Sequence, residues 1–202
     1  AHWKFDETAG TTAADASGNA NNGTVYGTTW SGGTLSFDGT DDYVNMGDVT
    51  FLDSATNCTI ECWFKADVLP DISEGSQKQI IGKMKDDNGD VNTFKILLDG
   101  TSGTPKFRGK WVFSDDTYIN LLGSSNPAAG TWYHIVFVLD GSSGSKLYIN
   151  GVLDGQDNTY VGKALKNSSA SLMVGRRSDI NVEPKWFDGL IDCSVSEPFE
   201  IF

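Results

Sequence analysis

Two carboxyl groups about 5–5.5 Å apart can cleave a glycosidic bond with retention, so acidic residues are the first place to look for chemistry. Glu61 stands alone on its stretch. Glu74, Glu183, Glu197 and Glu200 have no carboxylate two residues on, where a strand would place it on the same face. A pair that meets only through folding stays open. His134 is one of 2 histidines and sits in the run Trp132 to Leu139, which is aromatic or β-branched nearly throughout. It is expected to be a packed, hydrogen-bonded core residue, which leaves a Ser-His-Asp or Cys-His centre without an exposed base. No catalytic residue is assigned, and the domain is expected not to be an enzyme.

Sugar rings are held by flat aromatic faces and a few oriented polar groups. Trp111, Tyr118, Tyr160 and Trp186 fall outside the clearest core pattern, with Arg108, Arg176, Arg177 and Asp179 as polar companions in type. The ligand-binding set expected on these grounds is Trp111, Tyr118, Arg176, Arg177 and Trp186. Many Asp residues stand in turns beside Gly and Asn, and a few of them could supply oxygen ligands to a hard cation. The acidic run 86–90 lacks the flanking helices and bidentate Glu of an EF-hand and reads as a turn.

The 3 cysteines are Cys58, Cys62 and Cys193. The first two lie about 13 Å apart on one strand at ~3.3 Å per residue, beyond the roughly 4.4–6.8 Å that a disulfide spans. They do not pair with each other. Cys62 points inward with Ile60 and Phe64 and reads as a small core residue. A bridge from either to Cys193 is open if their strands are neighbours.

Strands must position all of these residues. Trp132 to Leu139 is apolar on both alternating faces and belongs in the middle of a sheet. Asp140 to Gly144 turns it back into Lys146 to Ile149, and Asn150-Gly151 makes a second hairpin into Val152-Leu153. Further strands are expected at Trp3 to Phe5, Thr24 to Tyr26, Thr34 to Asp38, Tyr43 to Met46 and Thr59 to Ala66. Gln79 to Met84, Asn92 to Leu98, Lys106 to Phe113, Thr117 to Leu122, Ser171 to Gly175 and Trp186 to Val195 complete the set. Short helical turns are expected at Phe51 to Ala55 and Ala164 to Ser168. The fold class is all-β, with about thirteen or fourteen strands and no internal domain boundary.

The chain has 202 residues, which suits one β domain, 1–202. Its formal net charge of -12 lacks the basic footprint that nucleic acid or an anionic membrane needs. No stretch approaches the ~18 apolar residues of a membrane span.

W-Y-H-I-V from Trp132, the D-G turn and K-L-Y-I-N-G-V from Lys146 resemble the signature hairpin of laminin G-like, concanavalin A-like jelly-roll domains. Trp3 to Gly10, Asp15 to Asn19, Leu35 to Val44, Thr59 to Lys65 and Phe187 to Asp192 resemble that family's other motifs, in order. The resemblance implies an antiparallel β-sandwich of two sheets. It also implies one structural calcium, held by Glu7, Asp38 and Asp192, with Asp6, Asp15 and Asp188 in reserve. Trp63 and Trp132 fall where the family has structural tryptophans. The E-x-D-x-x-E run of the family's glucanases is missing, as are the motifs of its alginate lyases. Arg176 and Arg177 replace the acids of a pentraxin-type calcium loop. The function implied is a non-catalytic, extracellular binding module for a glycan or glycosylated surface, secreted or at a cell surface, within a larger multidomain protein. The alternatives are a hydrolase or lyase with an unfamiliar site, and protein–protein adhesion.

Overall fold

The computed structural model describes residues 1–74, 76–85, 91–177 and 186–196. The acidic turn 86–90, Asp179, Glu183 and Glu197 onward lie outside the described residues. The described strands, in chain order, are β1 (His2–Trp3), β2 (Thr12–Ala13), β3 (Gly23–Tyr26), β4 (Thr29–Trp30), β5 (Leu35–Asp38), β6 (Tyr43–Asn45), β7 (Cys58–Ala66) and β8 (Gln77–Lys85). They continue with β9 (Val91–Asp99), β10 (Lys106–Val112), β11 (Tyr118–Leu122), β12 (Trp132–Asp140), β13 (Gly144–Ile149), β14 (Val152–Asp157), β15 (Leu172–Val174) and β16 (Asp188–Ser196). Among the described residues one 3₁₀ turn, Thr50–Leu52, overlaps only the start of the helical turn expected at Phe51 to Ala55.

Two antiparallel sheets result. The first runs β14-β13-β12-β7-β16-β5-β4, with β1 also on β16; the second runs β11-β10-β9-β8-β15-β6-β3-β2. The local causes are visible. β7 alternates Cys58, Ile60, Cys62, Phe64 and Ala66 inward with Thr59, Glu61, Trp63 and Lys65 outward. The Asp140 carboxylate accepts from Ser142 and Ser143 in the turn after β12, and those bonds hold its carboxyl well below its ordinary value. Asn150 and Gly151 both have positive φ, 52° and 77°, the geometry a two-residue hairpin requires.

The core lies between the sheets. Phe64 of β7 packs edge-on against Phe107 of β10 and against Phe187. Trp111 of β10 lies flat on Phe137 of β12 at 4.4 Å between ring centroids, and Gly109 leaves the space: a Cβ there would sit 2.5 Å from the Phe137 ring. Cys62 and Cys193 face each other across β7 and β16 and form a disulfide, while Cys58 is buried outside that bridge. Cys62 is thus half of a cross-link rather than a plain core side chain.

Two expectations are corrected. Ala164 to Ser168 forms no helical turn, because Leu165 N–H donates to Ala55 O and Lys166 N–H to Val112 O, which hold the segment extended. His134 is not a core residue: it stands on the outer face of β12, partly exposed, in the alternate set with Trp132.

Candidate functional site on the outer face of the first sheet

On the outer face, Trp63 lies opposite His134 of β12 on one side and Asp192 of β16 on the other. The indole and imidazole stack at 4.7 Å with 16° between their planes. His134 Nε2 is 3.5 Å from Glu61 Oε2, an ion pair whenever the imidazole is protonated. Trp63 remains 49% exposed, high for so large an apolar ring. Beyond it opens a hollow of about 200 Å³ lined by His2, Glu61, Cys62, Trp63, Asp192 and Cys193. That is smaller than the roughly 300–1,000 Å³ of pockets for drug-sized ligands, and suits one sugar residue.

The pairing of β16 creates this hollow. On the edge away from β7, Ile191 pairs with Leu35 of β5 and Cys193 pairs with Trp3 of β1. Asp192 falls at the junction where the two strands abut. β1 is fixed there by Asp15, whose carboxylate accepts from the backbone N–H of His2, Ser17 and Asn21. Burial opposes ionisation of Asp15, but those hydrogen bonds outweigh it and hold its carboxyl well below the ordinary value.

Asp192 is perturbed the other way. Burial, opposed by nearby His2 and reinforced by the charges of Asp6 and Glu61, pushes its carboxyl up to about 6. Its folded-state value therefore exceeds the unfolded one, so its contribution to stability is full below pH about 4 and lost as pH rises through about 6. Asp192→Asn removes that loss. At pH 8 the variant should gain about 1 kcal/mol, after discounting for solvent at a half-buried group, which is a rise of about 2–4 °C in melting temperature. At pH 4 the two proteins should melt together. An equal gain at both pH values would contradict the burial of this charge.

The expected ligand residues are scattered. Trp111 is fully buried and donates its Nε1–H to Ser145 Oγ at 2.9 Å, so its ring is closed to a ligand. Tyr118 is 54% exposed, with Lys110 Nζ 4.6 Å above its ring. Arg176 and Trp186 do come together: the guanidinium lies 4.5 Å from the Tyr43 ring and 5.0 Å from Trp186. Tyr26 extends this stack, lying 4.5 Å from Tyr43. Arg177 adjoins it, its backbone carbonyl accepting from Arg176 Nε. Tyr118 is far off, since β11 and β15 are separated by four strand spacings, roughly 19 Å at about 4.8 Å each.

The expected calcium ligands do not converge. Glu7 Oε1 accepts from Ala14 N–H, Asp38 Oδ1 caps its own turn at Thr40, and Asp192 lies in the hollow. Among the described residues, the acids whose oxygens come within 4.8 Å of one another as a trio are Asp38, Asp41 and Asp42. Burial and the charges of the other two push Asp42 upward, against a hydrogen bond from Asp38 N–H. The side-chain oxygens of Glu7, Asp38 and Asp192 do not form such a trio.

The hollow was missed in the sequence because its parts are 131 residues apart, the separation of Cys62 from Cys193. A signal did exist: the alternation of β7 points Trp63 and Glu61 outward together.

The sheet order and the six motifs agree with a match of a laminin G family model, described as the concanavalin A-like lectin/glucanases superfamily, over residues 38–194. The chain belongs to this superfamily. No curated protein matches it by sequence. Among solved structures, the fold is similar to that of domain 4 of an extracellular arabinanase from Geobacillus stearothermophilus, in complex with arabinotriose. That match has 19% identity, a TM-score of 0.54, and covers 96% of this chain and 78% of that one. A botulinum neurotoxin serotype D ligand-binding domain in complex with N-acetylneuraminic acid matches at 12% identity and TM-score 0.63, covering 96% of this chain and 48% of that one. Trypanosoma rangeli sialidase matches at 13% identity and TM-score 0.66, covering 96% of this chain and 29% of that one. The chain thus spans under half the length of the last two. These similarities show a shared fold.

Proposed function

We propose that this superfamily member is a carbohydrate-recognition domain that binds its ligand without cutting it, at the hollow beside Trp63. One observation carries the reading: a half-exposed indole braced by His134, with Glu61, Asp192 and His2 around the space it borders. A pyranose ring stacks its C–H face on such an indole, while carboxylates and imidazoles bond its hydroxyls. The arabinotriose and N-acetylneuraminic acid complexes of two structural neighbours support the chemistry by analogy. The Cys62–Cys193 disulfide supports an oxidising, extracellular setting, in a secreted or surface protein.

A shallow site for one sugar residue should bind with a dissociation constant of roughly micromolar to millimolar, about -8 to -4 kcal/mol. Trp63→Ala should cost about 1 kcal/mol or more of that. The test is a glycan array probed with the unmodified domain and with Trp63→Ala. Binding that weakens about fivefold or more in the variant supports the proposal. Silence across a broad array would shift the function to protein adhesion.

Asp192 favours a second reading. A carboxyl titrating near 6 next to the Glu61 carboxylate has the character of an acid paired with a base. Incubation with polysaccharides distinguishes the two: recognition alone yields no new reducing ends, whereas hydrolysis yields them and Asp192→Asn stops them.

A further inference from the structure

Resting on the glycan reading, we propose that the hollow selects sugars bearing a free, protonated amine, of the glucosamine type, over neutral or N-acetylated ones. Its lining explains the choice. None of the six lining residues is Lys or Arg. Glu61 lies two residues from Trp63 on β7 and Asp192 lies opposite Trp63 on β16, so both carboxylates flank one indole. Asp6 adds a third negative charge near enough to act on Asp192. An imidazole faces each carboxylate: His2 of β1 acts on Asp192, and His134 of β12 lies 3.5 Å from Glu61. Lys65, further along β7, is directed at Asp67, with Nζ 3.8 Å from Oδ1.

Among the described residues, no hydrogen bond reaches the Asp192 carboxylate. It is half-buried next to like charges, an arrangement that an added cation relieves on both counts. A bare metal ion would leave the adjoining indole unused. A sugar amine uses both: the ring lies on Trp63, and the ammonium makes charge-assisted bonds to Asp192 and Glu61 at about 2.7–2.9 Å. Near an indole, the same cation also gains from the ring's negative face. Acetylation removes the charge and adds bulk where the carboxylates stand.

Calorimetric titration of the intact domain near neutral pH tests this with three probes: the glucosamine tetramer, its fully N-acetylated counterpart, and spermidine. The glucosamine tetramer should bind at least about tenfold more tightly than the acetylated one, and the advantage should shrink as salt rises. Trp63→Ala should weaken both tetramers. Glu61→Gln with Asp192→Asn should equalise them, with melting curves confirming that the variant is folded. Equal or tighter binding of the acetylated tetramer would overturn the amine preference and leave glycan recognition standing. Spermidine as tight as the glucosamine tetramer would show that charge alone is bound and overturn the sugar part. No binding by either tetramer would overturn the preference, while the glycan reading falls only if the broad array is silent too.

Discussion

Replacing Cys62 and Cys193 together by alanine should lower the melting temperature by roughly 10 °C. The cross-link joins positions 131 residues apart, and closing so long a loop restricts the unfolded chain by up to about 5 kcal/mol. Loss of a native bridge costs about 2–5 kcal/mol in practice, and a domain of this size shifts about 2–4 °C per kcal/mol. The consequence is also local. Cys62 and Cys193 are among the residues of β7 and β16 that border the hollow, adjoining Trp63 and Asp192, so their loss should loosen Trp63 against Asp192 and weaken binding too. Scanning calorimetry of the double variant checks the first effect. Indistinguishable melts, or unreduced peptide maps without a Cys62–Cys193 linked pair, would contradict the bridge.

Trp111→Ala should be as damaging. Its ring is fully buried, stacked on Phe137, tilted against Phe94 and hydrogen-bonded to Ser145. Truncating such a side chain costs about 3–5 kcal/mol, from lost burial and the cavity left behind, and it also removes the indole donor to Ser145 Oγ, which keeps only its own bond to Val138 O. Denaturant melts should show the midpoint falling sharply, whereas Tyr118→Ala on the exposed neighbouring strand should stay within about 0.5 kcal/mol of the parent. Binding by the Trp111→Ala fraction that remains folded should be unchanged. A variant that melts normally but no longer binds would return Trp111 to the ligand surface.

The contrast between Trp111 and Trp63 shows what could be read from sequence. Both strands carry an alternating pattern: Phe107, Gly109 and Trp111 share one face of β10, as Glu61 and Trp63 share one of β7. For β7, the outward set of Thr, Glu and Lys made the faces plain. For β10, Gly109 hides the core face, because its meaning lies in the Phe137 ring packed over it from the other sheet. The hairpins at Asp140 and Asn150 were legible because their turn chemistry is local. The superfamily sandwich followed from many such local signals agreeing.

Juxtapositions across the sheet were not local. Cys62 meets Cys193, and Trp63 meets His134, through the order β12-β7-β16. No spacing in the chain encodes that order. His134 was expected in the core because both faces of its strand are apolar or aromatic, yet on the outer face only Val138 is buried. The stack of Tyr26, Tyr43, Arg176 and Trp186 likewise joins segments far apart in sequence. It brings together two of the expected ligand residues, but the guanidinium already occupies ring faces that a sugar would need.

That leaves two aromatic surfaces, and one titration separates them. Nuclear magnetic resonance of the ¹⁵N-labelled domain resolves the indole N–H signals individually once Trp63→Phe and Trp186→Phe assign them. With the tightest ligand from the glycan array, the Trp63 indole and the His134 ring should shift first and saturate together, while the Trp186 indole stays in place. Saturable shifts at Trp186 with Trp63 unmoved would contradict recognition at the hollow.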